Sequence, residues 1–300
     1  MKISILGNNS ALPAHDRYPT CQIVNIEETY IMVDCGEAAQ VLLKKHGISW
    51  HKIRHIFISH LHGDHYFGLP GLLNSMSLLG RTEALNLYAP APLMPLMQQI
   101  LDVADTVLSY PLQFIPLPDG IATIADNSLF SLSCFPVEHR IFCKGLLITE
   151  KAKSRKLLPE RCSYYEIPAA YYKQLKAGQD YTGKDGFVVQ NEWVTEMGKP
   201  EKRYAYCADT QYTESFLPQI MNVDLLYHES TYLENDAERA SGRYHSTAKQ
   251  AARLAQKANA QQLILGHYSS KYKSTLEFEL EARSIFASSF ATKEGDIFEI

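Results

Sequence analysis

Apolar residues along this chain come in short runs, each closed by a polar or glycine-containing turn. Residues 2–6, 22–25 and 30–33 read as three successive β-strands. From residue 37 the pattern changes to strands alternating with helices. Residues 37–45 have helical composition, with Gly47 placed as a C-cap. Residues 53–59 form an Ile- and Phe-rich strand ending at His60, and a helix follows over 69–79 with Pro70 near its start, where proline is tolerated. A strand at 85–88, a helix at 93–103 and strands at 112–116, 129–137 and 145–149 follow. The second half repeats the theme. Strands at 204–207 and 223–227 precede an Ala-rich helix at 247–258, then a strand at 262–265, a helix at 276–286 and a closing strand at 297–300. Between residues 149 and 203 the periodicity weakens and Tyr, Lys and Gly accumulate. This stretch reads as an insertion into one domain spanning 1–300, too polar to form a core of its own.

Composition narrows the class. With 46% hydrophobic and 21% charged residues, the 300-residue chain has the balance of a soluble globular protein. No apolar stretch approaches the roughly 20 residues of a membrane span, and the first residues enter a strand without a signal-peptide core. A cytoplasmic protein with no membrane partner is expected. The six cysteines form no C-x-x-C pair, so reduced, buried thiols are expected. A net charge of −4 argues against a generic nucleic-acid binder. The charge is uneven, however. Residues 151–184 hold eight basic and three acidic residues, a local excess of +5 against −9 for the rest.

The segment His60-Leu61-His62-Gly63-Asp64-His65 carries the strongest chemical signal. In extended chain, side chains two residues apart point the same way, so His60 and His62 face one ion. Gly63 permits a sharp turn, and Asp64 and His65 then reach a second position. Mixed N and O donors at two adjacent positions suit a pair of divalent ions, zinc foremost. Further donors are expected at other strand ends, where His139, Asp209, His228-Glu229 and His267 stand. Each one alone also fits a strand cap or turn. Their recurrence at the same structural position favours one convergent site. His15, His46, His51 and His55 read as surface residues.

Taken with their neighbours, these residues resemble the metallo-β-lactamase superfamily and, within it, the ribonuclease Z family of tRNA 3′-processing endonucleases. The resemblance runs nearly end to end. It includes Ser10-Ala11-Leu12-Pro13, Asp34-Cys35-Gly36-Glu37, the motif from Ser59 to His65 and Gly68-Leu69-Pro70-Gly71. It continues through Cys207-Ala208-Asp209-Thr210, His228-Glu229-Ser230-Thr231, His245-Ser246-Thr247-Ala248 and Gly266-His267-Tyr268. The six-residue histidine motif marks only the superfamily, whereas the His-Glu-Ser-Thr and His-Ser-Thr-Ala motifs are specific to the family. The resemblance implies an α/β metallo-β-lactamase fold, a four-layer αβ/βα sandwich with a short inserted arm. It implies one zinc on His60, His62 and His139, a second on Asp64, His65 and His267, and Asp209 bridging them. Mn²⁺ or another divalent ion would fit the same donors.

It also implies the reaction: water attacks a phosphodiester of precursor tRNA, the 3′ trailer leaves and the tRNA keeps a 3′-hydroxyl. Asp64 would accept the water's proton. Glu229 would orient His245, which stabilises the transition state or protonates the leaving 3′ oxygen. Ser269 and Lys271, just past His267, are candidates for phosphate contact. Residues 150–203 would be the arm that grips the tRNA body. Lys153, Arg155, Lys156, Tyr171, Tyr172 and Lys173 are its candidate contacts, since cations neutralise phosphate and rings pack on nucleotides. A homodimer is implied as well.

Two departures from the family pattern stand out. The arm carries Ile167-Pro168-Ala169-Ala170 in place of a Gly-Pro element, and Glu37-Ala38 replaces Glu-Gly. Three rival readings share the fold. A hydrolase of small phosphodiesters keeps the metal donors and does not need the basic aromatic insertion. A redox di-iron protein usually has a carboxylate where His62 stands, together with a flavin module. A binding scaffold without activity typically loses ligands, and all seven are present.

Overall fold

The computed structural model describes all 300 residues, which form two compact units: residues 1–149 with 203–300, and residues 150–202. The larger unit is built on two seven-stranded sheets. The first contains β1 (Lys2–Gly7), β2 (Cys21–Ile26), β3 (Thr29–Cys35), β4 (Ile53–Phe57), β5 (Leu85–Ala89) and β6 (Leu112–Pro116). The second begins with β7 (Ala122–Asp126), β8 (Phe130–Pro136) and β9 (Lys144–Glu150). The smaller unit holds two short ladders, β10 (Lys156–Leu157) with β13 (Thr195–Glu196) and β11 (Tyr181–Thr182) with β12 (Val188–Val189). The second sheet resumes with β14 (Lys202–Cys207), β15 (Leu225–Glu229), β16 (Gln262–Gly266) and β17 (Ser289–Ala291), and β18 (Ile297–Glu299) closes the first sheet against β1.

Strand alternation sorts side chains into three cores between four layers. Ile31, Val33, Phe57, Tyr204, Tyr206, Leu225, Tyr227 and Ile264 meet between the sheets. The residues that alternate with them along each strand face outward. Met32 and Ile56 pack against the helices α1 (Ala39–Lys45), α3 (Leu69–Leu78) and α4 (Leu93–Val103). On the other side Ala205, Leu226, Leu263 and Leu265 pack against α9 (Ala248–Lys257) and α10 (Leu276–Arg283). The order is helix, sheet, sheet, helix, as the family resemblance implied. The small residues Ala248, Ala251, Ala252 and Ala255 let α9 lie close to its sheet. Thr247 starts this helix with a capping box: its hydroxyl accepts from Gln250 N, while Gln250 Oε1 accepts from Thr247 N.

Several elements of the larger unit were not expected from the pattern, among them α8 (Ala237–Gly242). β7 and β17 are edge strands with half-buried faces, and α2 (Gly63–Tyr66) is a single turn within the metal-donor motif. Ala38 adopts a left-handed conformation, φ 69°, at the start of α1. Glycine enters that region freely and alanine at a cost in energy, which accounts for glycine in the family pattern. Close approach explains Gly68. A Cβ there would sit 2.1 Å from the Gly36 carbonyl oxygen, so the Asp34–Glu37 turn and the turn after His65 touch through backbone.

The smaller unit corrects an expectation. Its segment does form a core, from Cys162, Ile167, Leu175, Val189 and Val194, with Tyr165, Tyr171, Tyr172 and Tyr181 packed around it. Apolar residues spaced irregularly over 33 positions show no period, so the core emerges only when α5 (Pro159–Tyr164), α6 (Tyr172–Lys176) and α7 (Asn191–Val194) assemble. Asn191 ties them: its side chain donates to the carbonyls of Leu175 and Gln179. All six cysteines of the chain are buried and unpaired. No helix is long and apolar enough to cross a membrane.

Candidate active site

Most of the predicted metal donors leave the ends of strands. His60 follows β4, His139 follows β8, Asp209 follows β14 and His267 follows β16, and α2 presents Asp64 and His65. Asp209 (φ 49°) and His267 (φ 60°) are in left-handed backbone, as is Asp34 (φ 57°). Non-glycine residues rarely adopt it, and such strain concentrates at functional sites.

The donor atoms fall into two clusters. In the first, His60 Nε2 lies 3.0 Å from His62 Nδ1, and His139 Nε2 lies 3.2 Å from the same atom. Asp209 Oδ2 is 3.3 Å from His60 Nε2 and 3.8 Å from His139 Nε2. In the second, His267 Nε2 lies 3.3 Å from Asp64 Oδ2, 3.4 Å from His65 Nε2 and 3.1 Å from Asp209 Oδ1. A tetrahedral ion with donors at about 2.0–2.1 Å separates those donors from one another by about 3.3 Å. Both clusters match that spacing. Asp209 Oδ1 is buried and accepts no hydrogen bond, which fits a cation as its missing partner. The donors present therefore fit two divalent ions, with one oxygen of Asp209 turned to each cluster.

Charge and protonation suit the same assignment. Burial pushes His60 down to about 4, with the charge of His65 adding to the effect, so its ring is neutral and open to a metal. Burial would raise the Asp209 carboxyl, but His267, His65 and His60 hold it well below the usual carboxylate range. Outer residues orient the rings. His65 Nδ1 is 2.7 Å from Asp34 Oδ2, and Asp34 also accepts from Ser59 N, Ser59 Oγ and Tyr206 OH. His267 Nδ1 is 2.9 Å from Thr231 Oγ1, and His139 Nδ1 is 3.1 Å from the Tyr244 carbonyl. A hydrogen bond at one ring nitrogen sets which nitrogen faces the metal.

His228 and Glu229, left open as donors on sequence grounds, part company here. His228 is fully buried with its ring stacked 6.5 Å from that of Phe216, and its Nδ1 contacts the Glu229 carbonyl at 2.7 Å. Glu229 instead meets His245, Oε1 to Nδ1 at 2.8 Å. Its carboxylate also accepts from the backbone of Thr210, Thr231 and Ser246. Burial alone would raise Glu229, but His245 brings it down to about 2. For His245, burial acts downward and is outweighed by Glu229, which lifts it to about 9. Glu229 therefore favours the charged form of the ring. Glu229 and His245 lie within 4.8 Å of donors of the second cluster, Asp209 and His267.

The remaining candidates are placed differently. Lys271 Nζ is paired with the Asp236 carboxylate at 2.6 Å, and Ser269 Oγ accepts from Lys271 N at 3.3 Å. Ser269 serves the local turn, while Lys271 ties it to Asp236, 35 residues earlier. In the smaller unit Lys156 and Lys173 are exposed, Lys153 N donates to the Lys199 carbonyl, and Arg155 Nε donates to Thr195 Oγ1. Tyr171 and Tyr172 are half-buried against the unit's core. The aromatic surface lies elsewhere, on Tyr164, Phe187 and Trp193, which are 78%, 51% and 38% exposed. Sequence reasoning passed over Phe187 and Trp193 because they fall beyond the basic stretch. It also gave no role to Asp34, Ser59, Thr231 or Tyr206. His55, read as a surface residue, is half-buried beside Tyr88 and Phe130.

The chain is similar to known proteins over nearly its full length. A family model described as a beta-lactamase superfamily domain matches residues 186–268, and one described as anti-Pycsar protein Apyc1 matches residues 1–106. Ribonuclease Z of Parabacteroides distasonis is 40% identical over 294 residues, covering 98% of this chain and 97% of its own. Ribonuclease Z of Cytophaga hutchinsonii is 45% identical over 307 residues, covering 100% and 96%. The crystal structure of human tRNase Z, short form, superposes with a TM-score of 0.73 at 23% identity, covering 100% of this chain and 99% of that one. The last shares the fold, and the identity over full length to the curated relatives does more: this chain belongs to the ribonuclease Z family, metal-dependent endoribonucleases of the metallo-β-lactamase fold.

Proposed function

We propose that the chain removes the 3′ trailer from precursor tRNA by water attack on one phosphodiester, leaving a 3′-hydroxyl on the tRNA. The observation that carries this reading is the conjunction of the His60, His62, His139 and Asp209 group and the Asp64, His65 and His267 group, which Asp209 also approaches, with the Glu229–His245 pair beside them. A hydrolase of small phosphodiesters needs the donors alone.

His60, His62, His139 and Asp209 would hold one ion, and Asp64, His65, His267 and Asp209 the other, with zinc favoured by the nitrogen-rich donor set. Two such ions supply water activation near neutral pH and neutralise charge on the phosphate oxygens. Asp64 keeps one carboxylate oxygen at its cluster and is the proton acceptor. Glu229 holds His245 Nδ1, which fixes the ring and leaves Nε2 to give a proton to the departing 3′ oxygen. Thr231 helps to set two rings, through His245 Nδ1 at 3.3 Å and His267 Nδ1 at 2.9 Å.

The test is direct. Metal-replete protein incubated with a 3′-extended pre-tRNA is expected to cut next to the discriminator base, as mapped on a sequencing gel. Absence of that cut, with bis(4-nitrophenyl) phosphate still hydrolysed, would select the small-phosphodiester hydrolase instead.

Residues 150–202 are proposed to grip the tRNA body. The folded unit holds ten basic and eight acidic residues, so attraction depends on local patches rather than its total charge. Replacing residues 153–200 by a short Gly-Ser linker is expected to lower kcat/KM for pre-tRNA by about 100-fold or more, the scale of several lost phosphate and stacking contacts. Hydrolysis of bis(4-nitrophenyl) phosphate should change little. Equal losses on both substrates would remove the arm from tRNA binding. A cytoplasmic homodimer belongs to the same proposal, and sedimentation of the purified protein at micromolar concentration decides the dimer.

A further inference from the structure

The loop that presents His139 continues through Arg140, Ile141 and Phe142. Ile141 and Phe142 are 36% and 38% exposed, unusual for large apolar residues so close to a buried site. The loop is pinned at both ends. Glu138 N donates to Thr210 Oγ1 at 3.1 Å, Gln211 N donates to the Glu138 carbonyl at 2.8 Å, and Lys144 N donates to the Ser59 carbonyl at 3.1 Å. Exposed apolar side chains on a pinned loop form a prepared surface.

That surface is one wall of a cleft of about 400 Å³, closed by Leu61, Pro90, Pro92 and Leu117. Lys144 braces it from beneath. Its side chain is buried, its ammonium lies 5.1 Å from the Phe142 ring centroid, and it donates to the carbonyls of Asp119 and Gly120. The cleft shares backbone with the first metal cluster: Leu61 lies between His60 and His62, and Ile141 is two residues beyond His139. Its volume and apolar walls suit a flat aromatic group, and Asp119 is the one charged side chain in its lining.

Arg140 supplies the matching charge. Its Nη2 lies 3.3 Å from His62 Nε2. His62 turns Nδ1 toward the donor cluster, so a neutral ring ready for a metal carries its proton on Nε2. Two N–H groups cannot hydrogen-bond to each other. The guanidinium, exposed at the rim of the site, then faces no acceptor on His62 and has donors of the kind that pair with phosphate oxygens.

We propose that this cleft and Arg140 form a nucleotide subsite, with the base flanking the cleaved bond stacked on Phe142 and the scissile phosphate paired with Arg140. This rests on the endoribonuclease reading. The lining is poor in hydrogen-bonding groups, so the subsite takes any base by stacking rather than reading its edge.

The experiment compares kcat/KM for thymidine 5′-(4-nitrophenyl phosphate), thymidine 3′-(4-nitrophenyl phosphate) and methyl 4-nitrophenyl phosphate on the metal-replete protein. All three share one leaving group, so the ratio of nucleoside to methyl ester isolates the base and sugar. One thymidine ester is expected to be preferred by about tenfold or more, the scale of one stacked base. Phe142→Ala and the cleft-filling Ala91→Phe, at an exposed position, should each bring that ratio close to one, with metal content and melting temperature retained. Arg140→Ala should raise KM for all three esters. A wild-type ratio near one, or a ratio unmoved by both cleft variants, overturns the subsite. Unchanged KM in Arg140→Ala overturns the phosphate role. If the wild type cuts the esters but no pre-tRNA, the endoribonuclease reading fails, and the ester ratio still decides the subsite.

Discussion

Replacing His245 by alanine is expected to leave two divalent ions per chain and to lower pre-tRNA cleavage by about 100- to 10,000-fold, the range for a lost general acid. The ring makes no direct contact that either donor cluster requires, so metal analysis should match the wild type. Its Nδ1 is held at 2.8 Å by Glu229, and the buried carboxylate favours the charged form of the ring. Removing the ring therefore removes the proton donor and spares the ions. Single-turnover cleavage with saturating enzyme separates this from weaker RNA binding, because binding no longer limits the rate. A metal-replete His245→Ala protein with wild-type turnover would take His245 out of the mechanism.

Asp209→Ala is expected to do the opposite: both ions are lost together and cleavage falls to background. The reason is geometric. Asp209 Oδ2 completes the cluster of His60, His62 and His139, while Oδ1 lies 3.1 Å from His267 Nε2 in the other cluster. One side chain serves two sites, so its loss leaves each of them one donor short. His62→Ala touches only the first cluster and should cost only that ion. Asp34→Asn keeps a residue type that tolerates left-handed backbone but weakens the hold on His65. It should reduce metal affinity by about 10- to 100-fold, as loss of an orienting partner does. Metal-to-protein ratios after gel filtration at graded chelator concentrations distinguish these three variants. Retention of both ions by Asp209→Ala would refute the shared carboxylate.

Asp34 also shows where sequence reasoning stops. The Asp34-Cys35-Gly36-Glu37 motif was visible as a family feature, yet nothing in the linear chain says that Asp34 orients His65, 31 residues away. The same holds for Thr231, whose hydroxyl meets both His245 and His267. Lys271 has a partner that the linear chain does not show. Its position beside His267 suggested phosphate contact, but Asp236, 35 residues earlier in the chain, engages its charge. In the smaller unit, tyrosines among lysines suggested an RNA surface. Tyr171 and Tyr172 instead lean on the unit's core, and the most exposed rings include Phe187 and Trp193.

What the sequence determined by itself was the order of strands and helices and the residues that end the strands. Both are local: alternation and helical period set which face is apolar, and a histidine or aspartate at the end of an apolar run is readable at sight. The short edge strands β7 and β17 escaped this reading because β7, Ala-Thr-Ile-Ala-Asp, has one large apolar residue and β17 is three residues long. Tertiary structure alone decided how closely the donors approach one another, that Asp34 and Thr231 stand against the rings of His65 and His267, and that Lys271 is paired with Asp236. Those are contacts between residues far apart in the chain, made when two sheets pack face to face and bring strand ends to one rim. Distances near 3 Å depend on that packing, and no local pattern carries them.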